Sequence, residues 1–163
     1  MPFNSSGVYT PASGATTAFP GQVIASATWN AIFTDISNAL TDLAQYAGLE
    51  FVIDGGGQPL TAGIGGFLEI PFPCTIVRAT LLADRVGSCV VDVWKDTYAN
   101  YPPTVADSIT AAAKPTLAAA QKYQDATLTG WTKTIASGDV LAFNLDSAST
   151  ITKITISLLA ARN

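Results

Sequence analysis

Hydrophobic residues change their spacing once along this chain, near Gly48. Ahead of that point Trp29, Phe33, Ile36, Leu40, Leu43 and Ala47 recur at intervals of four, three, four, three and four. That is the 3.5-residue repeat of a helix packed along a seam on another helix. It predicts one helix from about Thr28 to Ala47, N-capped by Ser26 or Thr28 and stopped by Gly48. The opposite face carries Asn30, Thr34, Asn38, Thr41 and Gln45, and Asp35 and Asp42 are the helix's only charges. No Glu–Lys lattice supports it as a free surface helix. Two arrangements fit. The stripe lies on the domain's own sheet, or it forms a short parallel bundle of sister copies, three being the expected number. The second makes Trp29, Phe33, Ile36, Leu40 and Leu43 an oligomer interface and is the expectation carried forward.

Beyond Gly48 the pattern becomes alternating or runs as short apolar stretches, which predicts strands. They are Leu49–Asp54, Gly66–Pro71, Thr75–Ala83, Ser88–Trp94, Asp139–Asp146 and Ile151–Leu159. In the last, Thr152, Ile154, Ile156 and Leu158 share the face expected to point inward. Turn signals separate the runs at Asp54-Gly55-Gly56-Gly57, Gly63 to Gly66, Arg85-Val86-Gly87 and Ser137-Gly138. Short strands with this punctuation predict a mainly β protein: an N-terminal extended arm and one α-helix, then an antiparallel jelly-roll-like β-sandwich. Residues 1–48 would form the anchoring arm and oligomerising helix, and residues 49–163 the sandwich, which at about 115 residues is long enough to bury a core. Lys95 to Thr127 reads as a long loop, interrupted by Pro102-Pro103 and Pro115.

Residues 1–25 are dominated by Ser, Thr, Gly, Ala and Pro, a composition that cannot build a core of its own. Such an arm is ordered when a neighbour holds it, with Phe3, Tyr9 and Phe19 as plugs. Composition sharpens the picture. Of 163 residues 48% are hydrophobic and only 12% charged, a surface suited to packing against other protein. The net charge of −4 argues against nucleic acid. No apolar run approaches the about 20 residues that span a bilayer, so no membrane insertion is expected. The first residues lack a basic and then apolar export signal, which points to synthesis in a cytoplasm.

The chain has no histidine, which removes Ser-His-Asp and Cys-His nucleophiles and His-based zinc sites. Asp92 and Asp96 flank Trp94, but on a strand they stand about 13 Å apart, beyond the about 5–9.5 Å that glycosidases use. Asp54-Gly55-Gly56-Gly57 lacks the ligands of a calcium loop and the Lys of a phosphate loop. No catalytic residue, metal or cofactor is therefore expected. Cys74 and Cys89 are expected as buried free thiols, with a single bridge as the alternative. Trp94, Tyr98, Tyr101 and Trp131 are candidate rings for stacking on sugars. Trp94 also ends an apolar strand, so a place in the core is its competing reading.

Ile70-Pro71-Phe72, Cys74-Thr75-Ile76, the run from Asp92 through Trp94, Tyr98 and Tyr101 to Thr104, and then Lys114-Pro115-Thr116-Leu117, Leu128-Thr129-Gly130-Trp131 and Gly138-Asp139-Val140 form a recognisable set. Together they resemble a C-terminal β-rich module of tailed-phage virion proteins. Such modules occur on tail fibres, head fibres and spikes, including those of gene transfer agents. The Ser/Thr/Gly arm followed by Ile24 to Ile36 resembles the particle-anchoring start of phage fibres. The resemblance implies a non-enzymatic virion protein, assembled in the bacterial cytoplasm and working as a homo-oligomer. Residues 1–25 would dock on other virion proteins, and host surface polysaccharide is the candidate ligand. Its alternatives are a capsid decoration protein that reinforces the shell and a polysaccharide-degrading enzyme.

Overall fold

The structure, a computed structural model, describes residues 26–43 and 45–163. The expected arm, with Phe3, Tyr9 and Phe19, lies outside the described residues. The chain divides into two units between Gln45 and Tyr46. The first contains helix α1, Ser26–Leu43. Thr34 and Thr41 donate their hydroxyls to the carbonyls of Asn30 and Ser37, at 2.8 and 2.9 Å. The helix starts two residues before the expected Thr28 and ends four before the expected Ala47. Thr28 is inside it rather than capping it. Tyr46, Ala47 and Gly48 are instead the first residues of a strand, held by pairing with Ala161, Ala160 and Leu159. Nine consecutive cross-strand pairs outweigh the local helical preference of Ala47.

The second unit is all antiparallel β: β1 Tyr46–Asp54, β2 Gly63–Ile70, β3 Cys74–Thr97, β4 Thr116–Asp125, β5 Thr134–Ile135, β6 Asp139–Ser149 and β7 Lys153–Arg162. The sheet order is β1-β7-β3-β6-β2, with β4 and β5 also on β3. β3 is the spine. Its first part, Cys74–Ala83, pairs with β7, and its second, Ser88–Thr97, pairs with β6. β4 runs along the other edge of both parts, from Val90 back to Ala79. One curled sheet thus supplies both layers of a sandwich, β1-β7-β3 and β2-β6-β3. Phe51 of β1 and Phe143 of β6 stack across the interior with centroids 4.8 Å apart.

The expected turn at Arg85-Val86-Gly87 is a bend inside a continuous strand. The register slips there between Leu82 and Gly87. A side chain at Gly87 would stand 2.6 Å from the Ser149 carbonyl oxygen, so only glycine lets β3 pass the β6–β7 junction this closely. Asp84 fixes the corner. Its carboxylate accepts both the backbone N–H (3.0 Å) and the hydroxyl (2.6 Å) of Thr152, and the N–H of Lys153 (3.0 Å). These donors, the Thr152 hydroxyl foremost, hold the Asp84 carboxyl well below the usual carboxylate range.

The core follows the alternation. Ile154, Ile156 and Leu158 of β7 are fully buried against Ile76, Ala79 and Leu81 of β3 and Leu141, Phe143 and Leu145 of β6. Cys74 and Cys89 are buried in it as free thiols, and burial pushes both thiols up. The long loop expected over Lys95–Thr127 is shorter than that. β3 continues to Thr97, and Thr116–Asp125 form β4, whose Leu117 enters the core.

Candidate functional site

The segment between β3 and β4 lies back over the outer face of the β2-β6-β3 layer, and the strand registers show what it covers. Opposed residues project to the same side of a sheet. One row across the layer is Phe67, Ala142 and Trp94, and the next is Glu69, Val140 and Asp96. Ser108 bridges to Trp94, the Ile109 N–H donates to the Val93 carbonyl at 2.9 Å, and the Val91 N–H donates to the Pro115 carbonyl at 2.9 Å. Trp94 is left 8% exposed.

A charge cluster built on one buried carboxylate holds this cover in place. Asp92, fully buried, accepts the hydroxyls of Ser108 (2.7 Å) and Thr110 (2.6 Å) on Oδ1 and pairs through Oδ2 with Lys114 Nζ at 2.8 Å. Lys114 also reaches Asp146 at 2.6 Å, and Asn144 donates to that carboxylate at 2.8 Å. Burial pushes the Asp92 carboxyl up. The Lys114 ammonium and the two hydroxyls outweigh it and leave the group below its ordinary value. Burial without such partners would cost several kcal/mol.

At its start the segment forms a short 3₁₀ turn, Tyr98–Asn100. Asp96 Oδ1 stabilises it by accepting the Thr97 N–H (2.7 Å) and the Asn100 side-chain amide (3.1 Å). Side chains three apart on such a turn eclipse one another, so Tyr98 and Tyr101 project together. They stand over the end of β2, where Phe67 and Glu69 share a face by strand alternation. The Tyr101 and Phe67 rings meet edge to face at 4.9 Å. The result is an open cleft of about 470 Å³ lined by Phe67, Glu69, Tyr98, Tyr101 and Val140. Tyr98 is 76% exposed. Glu69 is exposed and makes no hydrogen bond or ion pair.

Of the four rings expected to stack on sugars, the structure brings Tyr98 and Tyr101 together and removes the tryptophans. Trp94 is roofed by the 98–115 segment. Trp131 is 7% exposed and donates its indole N–H to the Ala113 carbonyl at 2.9 Å, so it anchors the far end of the same cover. Phe67 and Glu69 were missed. The alternation of Gly66–Pro71 puts them on one face, but nothing in the sequence says that this face meets Tyr98.

Asp92 is engaged by two hydroxyls on Oδ1 and by the Lys114 ion pair on Oδ2, Asp84 by Thr152 and Lys153, Asp96 holds the turn, and Asp107 caps a second 3₁₀ turn by accepting the Thr104 N–H and hydroxyl at 2.8 Å. Glu69 is the single carboxylate lining the cleft. A second cleft of about 450 Å³ lies by the β1–β2 connection. Its Asp54 pairs with Lys153 at 2.8 Å and accepts the Gly56 N–H at 2.9 Å. Among the described residues no three His, Cys, Asp or Glu side chains gather to hold a metal, and no helix is long and apolar enough to cross a membrane. Helix α1 carries the other candidate surface. Trp29, Phe33, Ile36 and Leu40 are 40–63% exposed, and Trp29 stacks on Phe33 at 5.8 Å. Leu43 is the last residue of the helix. No family model matches this chain, and no curated protein matches it.

Proposed function

We propose that this chain is a non-enzymatic structural protein of a phage-like particle, forming a surface spike or fibre of three copies that supports attachment to the host cell. The observation that carries the reading is the exposed stripe of α1. Four large apolar residues at 3.5-residue spacing stand in solvent on an 18-residue helix. Exposing such a stripe is unfavourable, and packing it against the same stripe of sister copies removes it from water. The cleft supplies the attachment role. Exposed tyrosine and phenylalanine rings suit the flat apolar faces of sugars, and many weak contacts on one particle add up through avidity. The lone carboxylate of the cleft and the absence of histidine from the sequence favour binding over hydrolysis.

Sedimentation of the purified chain tests the reading. The wild type is expected at three times the monomer mass, and a Trp29→Ala/Phe33→Ala double variant at the monomer mass with its β-sandwich intact. A monomeric wild type overturns the assembly. Particles lacking the protein are expected to survive heat but adsorb poorly. Normal adsorption with loss of heat resistance moves the assignment to a shell-reinforcing decoration protein.

A further inference from the structure

We infer that the cleft between β2 and the Tyr98–Tyr101 turn selects a ligand bearing a positively charged alkylammonium group, an amino sugar or a choline-type substituent, over a neutral or anionic one. The inference deepens the glycan-binding reading and rests on it. Three aromatic rings, Phe67, Tyr98 and Tyr101, line one opening, two of them fixed edge to face at 4.9 Å. Ring faces carry the negative lobe of the quadrupole and attract cations, ammonium groups above all. Glu69 lines the same opening with a full negative charge and no partner. Nearby charges are already committed. Lys95, whose β3 position follows the Trp94 row, pairs with Asp139 at 3.0 Å, and Asp96 is spent on its turn. No cation of the described residues neutralises Glu69, so the cleft presents a net negative charge framed by π faces. A neutral sugar would stack on the tyrosines and leave that charge unused. A sialic acid or phosphate would be repelled by it. An ammonium group satisfies both features at once.

Titration of the full-length protein with glucosamine, choline and glucose, followed by calorimetry or by NMR of the tyrosine and phenylalanine rings, tests this. Glucosamine and choline are expected to bind about fivefold or more tighter than glucose. High salt is expected to weaken both cations and leave glucose unchanged. Glu69→Gln is expected to bring glucosamine down to the affinity of glucose, and Tyr98→Ala to abolish all binding. Both side chains are exposed, so an unchanged melting temperature certifies the variants' fold. Binding of glucosamine without choline assigns the amine to a polysaccharide, and binding of both assigns it to the ammonium group in general. Equal affinity for glucosamine and glucose, unaffected by Glu69→Gln, overturns the charge selectivity while leaving the sugar cleft standing. Absence of any binding overturns both.

Discussion

Helix α1 and strand β7 are both rich in apolar side chains, and the chain treats them in opposite ways. Ile154, Ile156, Leu158 and Ala160 of β7 are fully buried, because β7 is flanked on both edges by β1 and β3 and covered on its inner face by the other layer. Trp29, Phe33, Ile36 and Leu40 of α1 stand largely in solvent. A strand repeats every two residues and finds complementary strands throughout this unit. A seam repeating every 3.5 residues fits another helix, and among the described residues α1 is the sole α-helix. Apolar content alone therefore does not locate a core. The period of the pattern decides what kind of partner can cover it, and for α1 the partner we propose is another copy.

The largest expected effect separates the two regions directly. Phe143→Ala leaves a cavity under the Phe51 ring in a site with no exposure. It is expected to cost about 3–5 kcal/mol of unfolding free energy. Leu40→Ala removes a smaller apolar group, from an exposed position, and is expected to change the sandwich's stability by less than about 0.5 kcal/mol. Urea denaturation followed by near-ultraviolet circular dichroism measures both. Comparable losses in the two variants would show that the helix stripe is packed like a core.

Next in size is the charge cluster beneath the 98–115 segment. Lys114→Met strands the Asp92 carboxylate, fully buried, with only two hydroxyls. The expected cost is about 3 kcal/mol, together with faster amide exchange at Ile109 and Val91, whose N–H groups tie the segment to β3 and to Pro115. Retained exchange protection would mean that backbone pairing alone holds the segment down. Because the tyrosines of the cleft are carried by this segment, the same variant is expected to weaken ligand binding without touching the cleft.

Much of the sandwich was legible in the sequence, and the exceptions share one cause. Alternation in Ile151–Leu159 placed Thr152, Ile154, Ile156 and Leu158 inward as found, but Ile151, expected on the outward face, precedes β7 and is fully buried; the Asp54-Gly-Gly-Gly run forms the expected turn, with Gly56 and Gly57 at positive φ. β4 was missed because Thr116–Asp125, with Ala118-Ala119-Ala120 at its centre, has little intrinsic strand preference. Its pairing with β3 supplies what its composition lacks. The Arg85-Val86-Gly87 signal was real but marks a bend where one continuous strand passes from pairing with β7 to pairing with β6, which local chemistry cannot distinguish from a hairpin. The cleft was half legible for the same reason. The tyrosines declare themselves by spacing, whereas Phe67 and Glu69 join them only through the β2–β6–β3 register.

A smaller effect is expected from acid. Asp92 and Asp84 both have carboxyls held below their ordinary value in the folded chain. Unfolded, each binds a proton at higher pH than when folded, so protons favour the unfolded state. Their stabilisation is complete above about pH 5, starts to fall near pH 4, where free aspartates titrate, and continues to fall as pH approaches the depressed folded values. The urea midpoint is expected to stay level from pH 7 to pH 5 and to drop at pH 3. Asp84→Asn, which removes the corner carboxylate, is expected to flatten that drop while lowering the plateau. A midpoint that rises on acidification would contradict the assignment of both groups.

The smallest expected effect is the absence of one, and it tests how closed the sandwich is. Cys74 and Cys89 lie at 0% and 1% exposure, and burial raises both thiols, so little thiolate forms at neutral pH and no reagent reaches it. A disulfide reagent added to the native protein at pH 8 is expected to modify neither cysteine on the timescale of minutes, and to modify both at once on addition of denaturant. A cysteine introduced in the helix as Leu40→Cys supplies the contrast, because its position is 63% exposed within a single chain. Diluted until the copies separate, that thiol should react immediately. At concentrations where the helices associate, it should be protected or should cross-link to its sisters. Protection of Leu40→Cys that does not depend on concentration would place the stripe against its own chain, and the contrast between the two regions would vanish.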